Sequence, residues 1–213
     1  NPKMPVDMLV SKAHADELRK TISMKKTKPS SPTSFDWPHE SDETTHISIV
    51  DGNRNAASMT YTLEQGYGVK VVVPGAGFLL NNEMGDFNAG PGITTAQGLV
   101  GTDPNLAAPG KRMLSSMAPT IVAKDGALFM VTGSPGGPRI ITTTVATIMN
   151  VVDFGMNAKE AVNAPRIHHQ WLPDEISVEP MALSADTRER LEAMGHTLVD
   201  AESPWGAAAA IVV

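Results

Sequence analysis

Thr44 stands where a polar loop meets a strand, and its hydroxyl is a candidate nucleophile. The segment before it is Pro-rich at 25–34 and acidic at 39–43, whereas residues 44–51 alternate in polarity and are rich in β-branched side chains, which predicts a strand. A Thr hydroxyl needs a base, and a cut directly before Thr44 would supply one, because the new α-amino group has a reference pKa of about 8. Thr is also common where strands start, so the pattern alone favours a purely structural residue.

A glycine-rich turn, residues 133–137, lies between a predicted strand and a predicted helix and is a candidate oxyanion-binding loop. Backbone N–H groups at the start of a helix stabilise a developing oxyanion, and Gly136 and Gly137 would let a substrate come close. No Lys-Ser/Thr pair follows, as a phosphate-binding loop requires. Ser134 directly follows Gly133, which excludes the Gly-x-Ser-x-Gly nucleophile elbow. An ordinary Gly/Pro turn is the alternative.

Three carboxylates and two hydroxyls in the irregular stretch 64–118 are candidate ligand-binding groups. The carboxylates, which would bind a cation or an ammonium group, belong to Glu64, Glu83 and Asp86. Ser115 and Ser116 carry hydroxyls that can donate to a carboxylate. Carboxylates on loops are usually only solvated, so a solvated loop is the alternative. A chain that spends so much length on loops usually builds a site or an interface.

The composition excludes several functional classes for this chain of 213 residues. Its 41% apolar and 19% charged residues suffice for a sizeable core, and a net charge of −6 argues against a nucleic-acid binder. The absence of Cys excludes a disulfide scaffold, a thiolate zinc site and a Cys nucleophile. The adjacent His168 and His169 would point to opposite faces of a strand, which disfavours one metal site for both.

The two ends of the chain indicate a piece of a longer protein. It opens Asn1-Pro2-Lys3, without a starting Met and without the basic patch and apolar core of a signal peptide. Its apolar end, Ala207–Val213, predicts a strand that is cut short. The longest apolar stretch, Val71–Leu80, is interrupted by Pro and Gly and is too short to cross a bilayer, so no membrane span is predicted.

Periodicity and turn signals predict a mixed α+β fold with antiparallel hairpins. Two hairpins are expected, turning at Gly52-Asn53 and at Asp125-Gly126. The predicted helices are 11–22, 139–152, 158–163 and 184–194, with Ser11 and Ser184 as N-caps, and the predicted strands are 44–51, 56–63, 120–123, 127–132 and 176–178.

Several segments, taken in order, resemble the gamma-glutamyltranspeptidase family of N-terminal-nucleophile hydrolases. Two of them are long and specific: one contains Thr-Gly-Ser-Pro-Gly-Gly and another contains His-His-Gln-Trp. Together the segments span most of residues 44–180. They are Thr44–Asp51, Thr60–Leu63, Leu80–Phe87, Arg112–Met117, Thr132–Ile141 and Asn163–Trp171.

The resemblance implies a role for each matching residue. Thr44 matches the nucleophile, and the precursor would cut itself between Glu43 and Thr44 when the Thr44 hydroxyl attacks the Glu43 carbonyl. Thr62 matches a second Thr that bonds to the catalytic hydroxyl. The remaining matches are Gly136 and Gly137 for the oxyanion hole, Ser115 and Ser116 for the substrate α-carboxylate, and Glu64, Glu83 and Asp86 for its α-amino group.

The resemblance also implies an activity, a fold and a partner. The activity is γ-glutamyl transfer from a small molecule such as glutathione, through a γ-glutamyl-Thr44 ester, to water or to an amine, with no metal or organic cofactor. The fold is a four-layer αββα sandwich, incomplete in this chain, and the location is periplasmic or extracellular. Residues 1–43 match the end of a large subunit with its pre-cleavage loop, and residues 44–213 match a small subunit truncated at its C-terminus. The rest of the large subunit would supply an Arg for the substrate carboxylate, so the isolated chain is expected to be inactive.

Two positions depart from the family pattern, and two other functions stay open. Gly85 stands where the family has the first Asp of an Asp-Asp pair, and Glu64 stands where many members have Asn. One alternative is a non-catalytic member that binds γ-glutamyl compounds. The other is a related acylase that acts on β-lactam side chains or on a polyglutamate, although the carboxylates favour a free α-amino group.

Overall fold

The computed structural model of the chain describes residues 5–29, 44–88 and 103–213, and the fold is given for those ranges. Two short 3-10 turns, Glu83–Asp86 and Asp103–Asn105, are the regular elements between the first and second hairpins in this part of the chain. The helices are α1 (Val6–Leu9), α2 (Lys12–Lys20), α3 (Arg139–Val152), α4 (Ala158–Asn163) and α5 (Ala185–Ala193), and the strands are β1 (Thr45–Val50), β2 (Ala56–Tyr61), β3 (Thr120–Lys124), β4 (Ala127–Gly133), β5 (Ile167–His168), β6 (Ile176–Val178), β7 (Leu198–Asp200) and β8 (Ala209–Val212).

Strands β1 and β2 form the first predicted hairpin. They pair antiparallel, with Thr45 opposite Tyr61. Asp51 organises the turn, because its Oδ1 accepts hydrogen bonds from the backbone N–H groups of Asn53 and Asn55, both at 2.8 Å. The bonds from Asn55 are the main reason why the pKa of Asp51 is lowered. The turn predicted from sequence is therefore confirmed.

The two faces of this hairpin differ, because side chains alternate along a strand. The outer face is apolar and exposed, and it consists of Ile47, Ile49, Met59 and Tyr61. The inner face is polar and half-buried, and it consists of His46, Ser48, Ser58 and Thr60. Two inner hydroxyls reach the neighbouring sheet: Ser48 Oγ donates to the Ala209 carbonyl at 3.1 Å, and Ser58 Oγ donates to the Thr132 carbonyl at 3.0 Å.

That neighbouring sheet has the order β3-β4-β8 and is antiparallel throughout. β3 and β4 turn at Asp125 and Gly126, whose φ angles of +53° and +79° suit the predicted tight hairpin turn. β8 pairs with the other edge of β4, with Val131 opposite Ile211. The strand predicted in the apolar segment Ala207–Val213 is therefore present, and it is an edge strand of this sheet.

The hairpin and two helices lie on opposite faces of the β3-β4-β8 sheet. Met130 is fully buried with Val151 of α3 and Ala161 of α4, so these helices cover one face. On β4, Gly133 faces the other way, and a side chain there would overlap the His46 ring of the hairpin. Helices, sheet and hairpin are three successive layers of the predicted αββα sandwich.

A third sheet, of order β5-β6-β7, was only partly predicted. β6 was expected, whereas β5 and β7 have two and three residues, too few for a polarity period. β6 and β7 are parallel, since α5 provides the crossover between them. The prediction of antiparallel hairpins is therefore confirmed for β1-β2 and β3-β4, and it made no statement about the pairing of β6 with β7.

The helix caps differ in one respect from the prediction. Ser11 caps α2 by accepting a hydrogen bond from the His14 N–H at 3.1 Å. Ser184 lies at the N-cap of α5, but its hydroxyl contacts the side chains of Asp186 and Thr187 instead of a backbone N–H. Within 5–29, 44–88 and 103–213, every helix is too short or too polar to span a bilayer.

Candidate active site

The Thr44 and Thr62 hydroxyls meet at the open end of the first hairpin. Thr44 directly precedes β1 and Thr62 directly follows β2, so antiparallel pairing brings them together. Thr44 Oγ1 donates to Thr62 Oγ1 at 3.1 Å, and Thr62 Oγ1 also accepts from the Glu64 N–H at 2.9 Å. Both Thr side chains are half-buried. The Thr44 hydroxyl is therefore held in one orientation, as a nucleophile requires.

His46 lies next to this pair on the same face, and sequence analysis gave it no role. Its Nδ1 is 2.8 Å from Thr60 Oγ1, and its Nε2 is 3.1 Å from Ser48 Oγ. Burial lowers the pKa of His46, so the ring is neutral near pH 7. Its contact with Gly133 explains why that position has no side chain. The ring thus fixes the start of β1 against the end of β4.

The glycine-rich turn continues from the end of β4, close to the nucleophile strand. Gly136 and Gly137 have φ angles of +128° and +52°, which favour glycine, and their carbonyls accept from the N–H groups of Arg139 and Ile140 at the start of α3. Among the described residues, no backbone carbonyl accepts from the N–H of Gly136 or Gly137. Two backbone donors beside a helix N-terminus can bind an oxyanion.

The predicted carboxylates gather around the 3-10 turn Glu83–Asp86. The Glu64 carboxylate accepts from Asn82 Nδ2 and lies against Gly85, where a side chain would overlap it. Burial raises the pKa of Glu83, with a further contribution from the Asp86 charge, and burial also raises the pKa of Asp86. Glu83 Oε1 is buried and has no hydrogen-bond partner within the described ranges. A bound ammonium group would stabilise the ionised forms of these buried carboxylates.

The predicted serines lie on the segment that leads into β3. Ser115 is exposed, and its Oγ accepts from the Met117 N–H at 3.2 Å, whereas Ser116 is half-buried. This segment is tied to the carboxylate turn by Asn105, a buried residue that sequence analysis missed. An isolated Asn in a Pro-containing loop carries no pattern that distinguishes it from a turn residue.

A buried ion pair beneath the glycine-rich turn was also missed. Arg166 and Glu179, with side chains 8% and 2% exposed, lie before β5 and after β6, and Arg166 Nη1 is 3.2 Å from Glu179 Oε1. They hold the backbone of Trp205, whose N–H donates to Glu179 Oε1 at 2.8 Å and whose carbonyl accepts from Arg166 Nη1 at 3.1 Å. The next residue, Gly206, packs against the turn. Because these residues are far apart in sequence, no local signal reveals the cluster.

Two features of the sequence analysis remain, the predicted cut and the adjacent pair of histidines. Glu43, the other side of the predicted cut, is outside the described residues. His168 is buried between Thr142 Oγ1 and Gln170 Oε1, both at 2.7 Å, whereas His169 contacts Asp174. The two rings therefore have separate partners.

Comparisons with known proteins identify relatives of this chain. The family model described as Gamma-glutamyltranspeptidase matches residues 1–213. The glutathione hydrolase proenzyme of Escherichia coli is 51% identical over 197 residues, covering 91% of this chain and 34% of the relative. A crystal structure of the Helicobacter pylori gamma-glutamyltranspeptidase T380A mutant has a TM-score of 0.76 at 50% identity, covering 79% of this chain and 90% of that chain.

A more distant relative carries a different name. The acylase ACY 1 proenzyme of Pseudomonas sp. (strain V22) is 36% identical over 197 residues, covering 92% of this chain and 33% of the relative. The chain thus spans about a third of the length of the curated relatives that it matches. The family match over the whole chain, together with these identities, places the protein in the gamma-glutamyltranspeptidase family.

Proposed function

We propose that the complete protein transfers γ-glutamyl groups through a γ-glutamyl-Thr44 ester. The observation that carries this proposal is the Thr44–Thr62 hydroxyl pair, joined by the Glu64 backbone to a turn of carboxylates. The relatives named glutathione hydrolase support a donor such as glutathione. Water or the amine of an amino acid or peptide then accepts the group.

Maturation comes first in this mechanism. The Thr44 hydroxyl attacks the Glu43 carbonyl, the Glu43–Thr44 peptide bond breaks, and an ester to Thr44 Oγ forms with a free Thr44 α-amino group. Water hydrolyses the ester, which releases a new carboxylate at Glu43 and restores the Thr44 hydroxyl. The relatives' description as proenzymes supports such a cut in the precursor.

Turnover then uses the new amine as the base. The Thr44 α-amino group takes the hydroxyl proton while Oγ attacks the γ-carbonyl carbon of the donor, and the N–H groups of Gly136 and Gly137 stabilise the oxyanion. When the tetrahedral intermediate collapses, the C–N bond breaks and the leaving amine takes the proton. Water, or an acceptor amine, attacks the ester in the same way and regenerates Thr44.

The two ends of the glutamyl group are recognised by opposite chemistries. Glu64, Glu83 and Asp86 would hold the α-ammonium group, and Ser115 and Ser116 would donate to the α-carboxylate. We assign residues 1–43 to the large-subunit end and residues 44–213 to the small-subunit region. The rest of the large subunit, from the same precursor, is the proposed protein partner.

A substrate panel tests this function. The complete precursor should hydrolyse γ-glutamyl anilide and glutathione far faster than glutaryl anilide, which lacks the α-amino group, and Thr44→Ala should abolish turnover. Preference for glutaryl amides would favour the acylase alternative, to which the more distant ACY 1 relative points. Binding of glutamate without any turnover would favour the non-catalytic alternative.

A further inference from the structure

We propose that Asn105 is a positioning residue that fixes the spacing between the ammonium and the carboxylate ends of the glutamyl subsite; this inference rests on the proposed function. Its side-chain amide hydrogen-bonds to two loops that are not joined by strand pairing. Asn105 Nδ2 donates to the Asp86 carbonyl at 2.7 Å, and Asn105 Oδ1 accepts from the Leu114 N–H at 2.9 Å. Asp86 belongs to the ammonium end, and Leu114 directly precedes Ser115 at the carboxylate end.

The surroundings of Asn105 make this cross-link stiff. The residue is 7% exposed and Asn88, beside it, is 3% exposed. Asn105 Nδ2 also contacts Asn88 Oδ1 at 3.2 Å, and the Asn88 N–H donates to the Asn105 carbonyl at 3.0 Å. The amide therefore uses both of its donors and its acceptor in a buried place, where hydrogen bonds are stronger than in water.

Within the part of the chain that the structure describes, few other regular contacts join these two loops. In the described part of residues 62–119, regular structure is limited to the two 3-10 turns and two isolated bridges, one of them between Asn88 and Leu106. A glutamyl group carries its ammonium and carboxylate on one carbon atom, so both sets of protein groups must keep a fixed spacing to bind both charges together. Asn105 hydrogen-bonds to the backbone of both loops, at Asp86 and at Leu114, and so sets the distance between them.

The test substitution is Asn105→Asp in the complete precursor. A carboxylate has nearly the same shape and still accepts from the Leu114 N–H, but it cannot donate to the Asp86 carbonyl or to Asn88 Oδ1. The bonds toward the ammonium end are therefore lost, while the bond toward the carboxylate end remains. The matched control is Asn150→Asp, which removes a single amide bond from Asn150 Nδ2 to the Ala161 carbonyl, between α3 and α4. Asn105→Ser is the second variant, used if the first gives no folded protein and to exclude an effect of the added charge.

Three anilides separate positioning from general damage. γ-Glutamyl anilide has both charged groups, glutaryl anilide lacks the ammonium group, and 4-aminobutyryl anilide lacks the carboxylate. We expect Asn105→Asp to lower kcat/KM for γ-glutamyl anilide by about tenfold or more, mainly through KM. A tenfold change corresponds to about 1.4 kcal/mol, which lies within the cost of leaving a buried hydrogen-bonding group without its partner. The value for glutaryl anilide should change by less than about twofold, because this substrate does not use the ammonium end. The value for 4-aminobutyryl anilide should fall by less than that for γ-glutamyl anilide, because a substrate with one charged group does not depend on the distance between the two ends.

The outcomes distinguish the inference from the function on which it rests. Equal losses with all three anilides, or no loss with γ-glutamyl anilide, would overturn the role of Asn105 while leaving γ-glutamyl transfer intact. A loss of the same size in Asn150→Asp would do the same. Absence of turnover in the unsubstituted, matured protein would instead overturn the proposed function, and the inference with it.

Discussion

At the residue scale, Glu64 contacts two parts of the candidate site, one through its backbone and one through its side chain. Its backbone N–H donates to Thr62 Oγ1 beside the nucleophile, and its carboxylate reaches the turn of Glu83 and Asp86. Its φ angle of +74° is unusual for a residue with a side chain. This conformation points the amide and the carboxylate to different partners, so that one residue links the nucleophile to the proposed ammonium subsite.

The contact between Glu64 and Gly85 leads to the first prediction. The backbone of Gly85 lies outside the left-handed region, so a residue with a side chain could adopt it. Glycine is needed at this position because an added Cβ would overlap the Glu64 carboxylate. Gly85→Ala would displace the Glu64 carboxylate and should raise KM for γ-glutamyl anilide by about tenfold, the value of a charged hydrogen bond, with kcat nearly unchanged.

A double-mutant cycle checks this contact. Glu64→Ala should raise KM by itself, and adding Gly85→Ala to it should have no further effect, because the clash is gone. The control is Gly52→Ala, where an added methyl group would meet nothing within 4 Å. Additive effects of the two substitutions would show that Gly85 acts independently of Glu64.

Burial of the carboxylates leads to a prediction on pH. Only ionised carboxylates hold an ammonium group, and burial raises the pKa of Glu83 and Asp86 above the usual range. As the pH falls, these groups therefore become protonated before exposed carboxylates do, and KM for γ-glutamyl anilide should rise in mildly acidic solution. KM for glutaryl anilide, which lacks the ammonium group, should stay level over the same pH range; a parallel rise would contradict this assignment.

At the element scale, the glycine-rich turn depends on a segment from the far end of the chain. Gly206 packs so closely that an added Cβ would lie 2.9 Å from Ser134 Oγ and 3.2 Å from the Pro135 carbonyl oxygen. The Arg166–Glu179 pair holds the preceding Trp205 backbone. Removing one partner of a buried pair commonly costs about 3–5 kcal/mol, so substitutions at the contact itself are a milder probe.

Gly206→Ala should therefore disturb the oxyanion donors. Its natural control is Gly155→Ala, since the φ angles are +69° and +66° and a methyl group at Gly155 would meet nothing within 4 Å. Both substitutions put a side chain on a left-handed backbone, which should lower the free energy of unfolding by a similar amount, about 1–2 kcal/mol. We expect Gly206→Ala alone to lower kcat by about tenfold or more, measured per mole of matured small subunit. Equal kcat values in the two variants would disprove the link between this segment and the turn.

The same scale shows what sequence could and could not predict. Both hairpins, α3 and α4 follow from local polarity periods and turn residues, and the structure has them within a few residues of the predicted bounds. The Thr44, glycine-rich and carboxylate segments were singled out by their residue types, and the family resemblance then predicted a role for each of them. Asn105, the Arg166–Glu179 pair and the contact of His46 with Gly133 join segments that are distant in sequence, so no local pattern marks them.

At the scale of the whole molecule, two apolar surfaces remain exposed on opposite sides. One is the outer face of the first hairpin, where Ile49 is 55% and Tyr61 is 61% exposed. The other is a stripe along α3 formed by Ile141, Val145 and Met149. Since the chain spans about a third of its curated relatives, we propose that the rest of the precursor covers these surfaces and supplies the missing layer of the sandwich.

The most direct test of the whole account is mass spectrometry of the complete precursor as it matures. We predict a new N-terminus at Thr44, and, during turnover of γ-glutamyl anilide, an added γ-glutamyl group on the peptide that begins with Thr44. Thr44→Ala should remain uncut and unmodified. An intact, uncut chain that hydrolyses γ-glutamyl anilide, or a working enzyme whose Thr44 α-amino group is blocked, would contradict the mechanism.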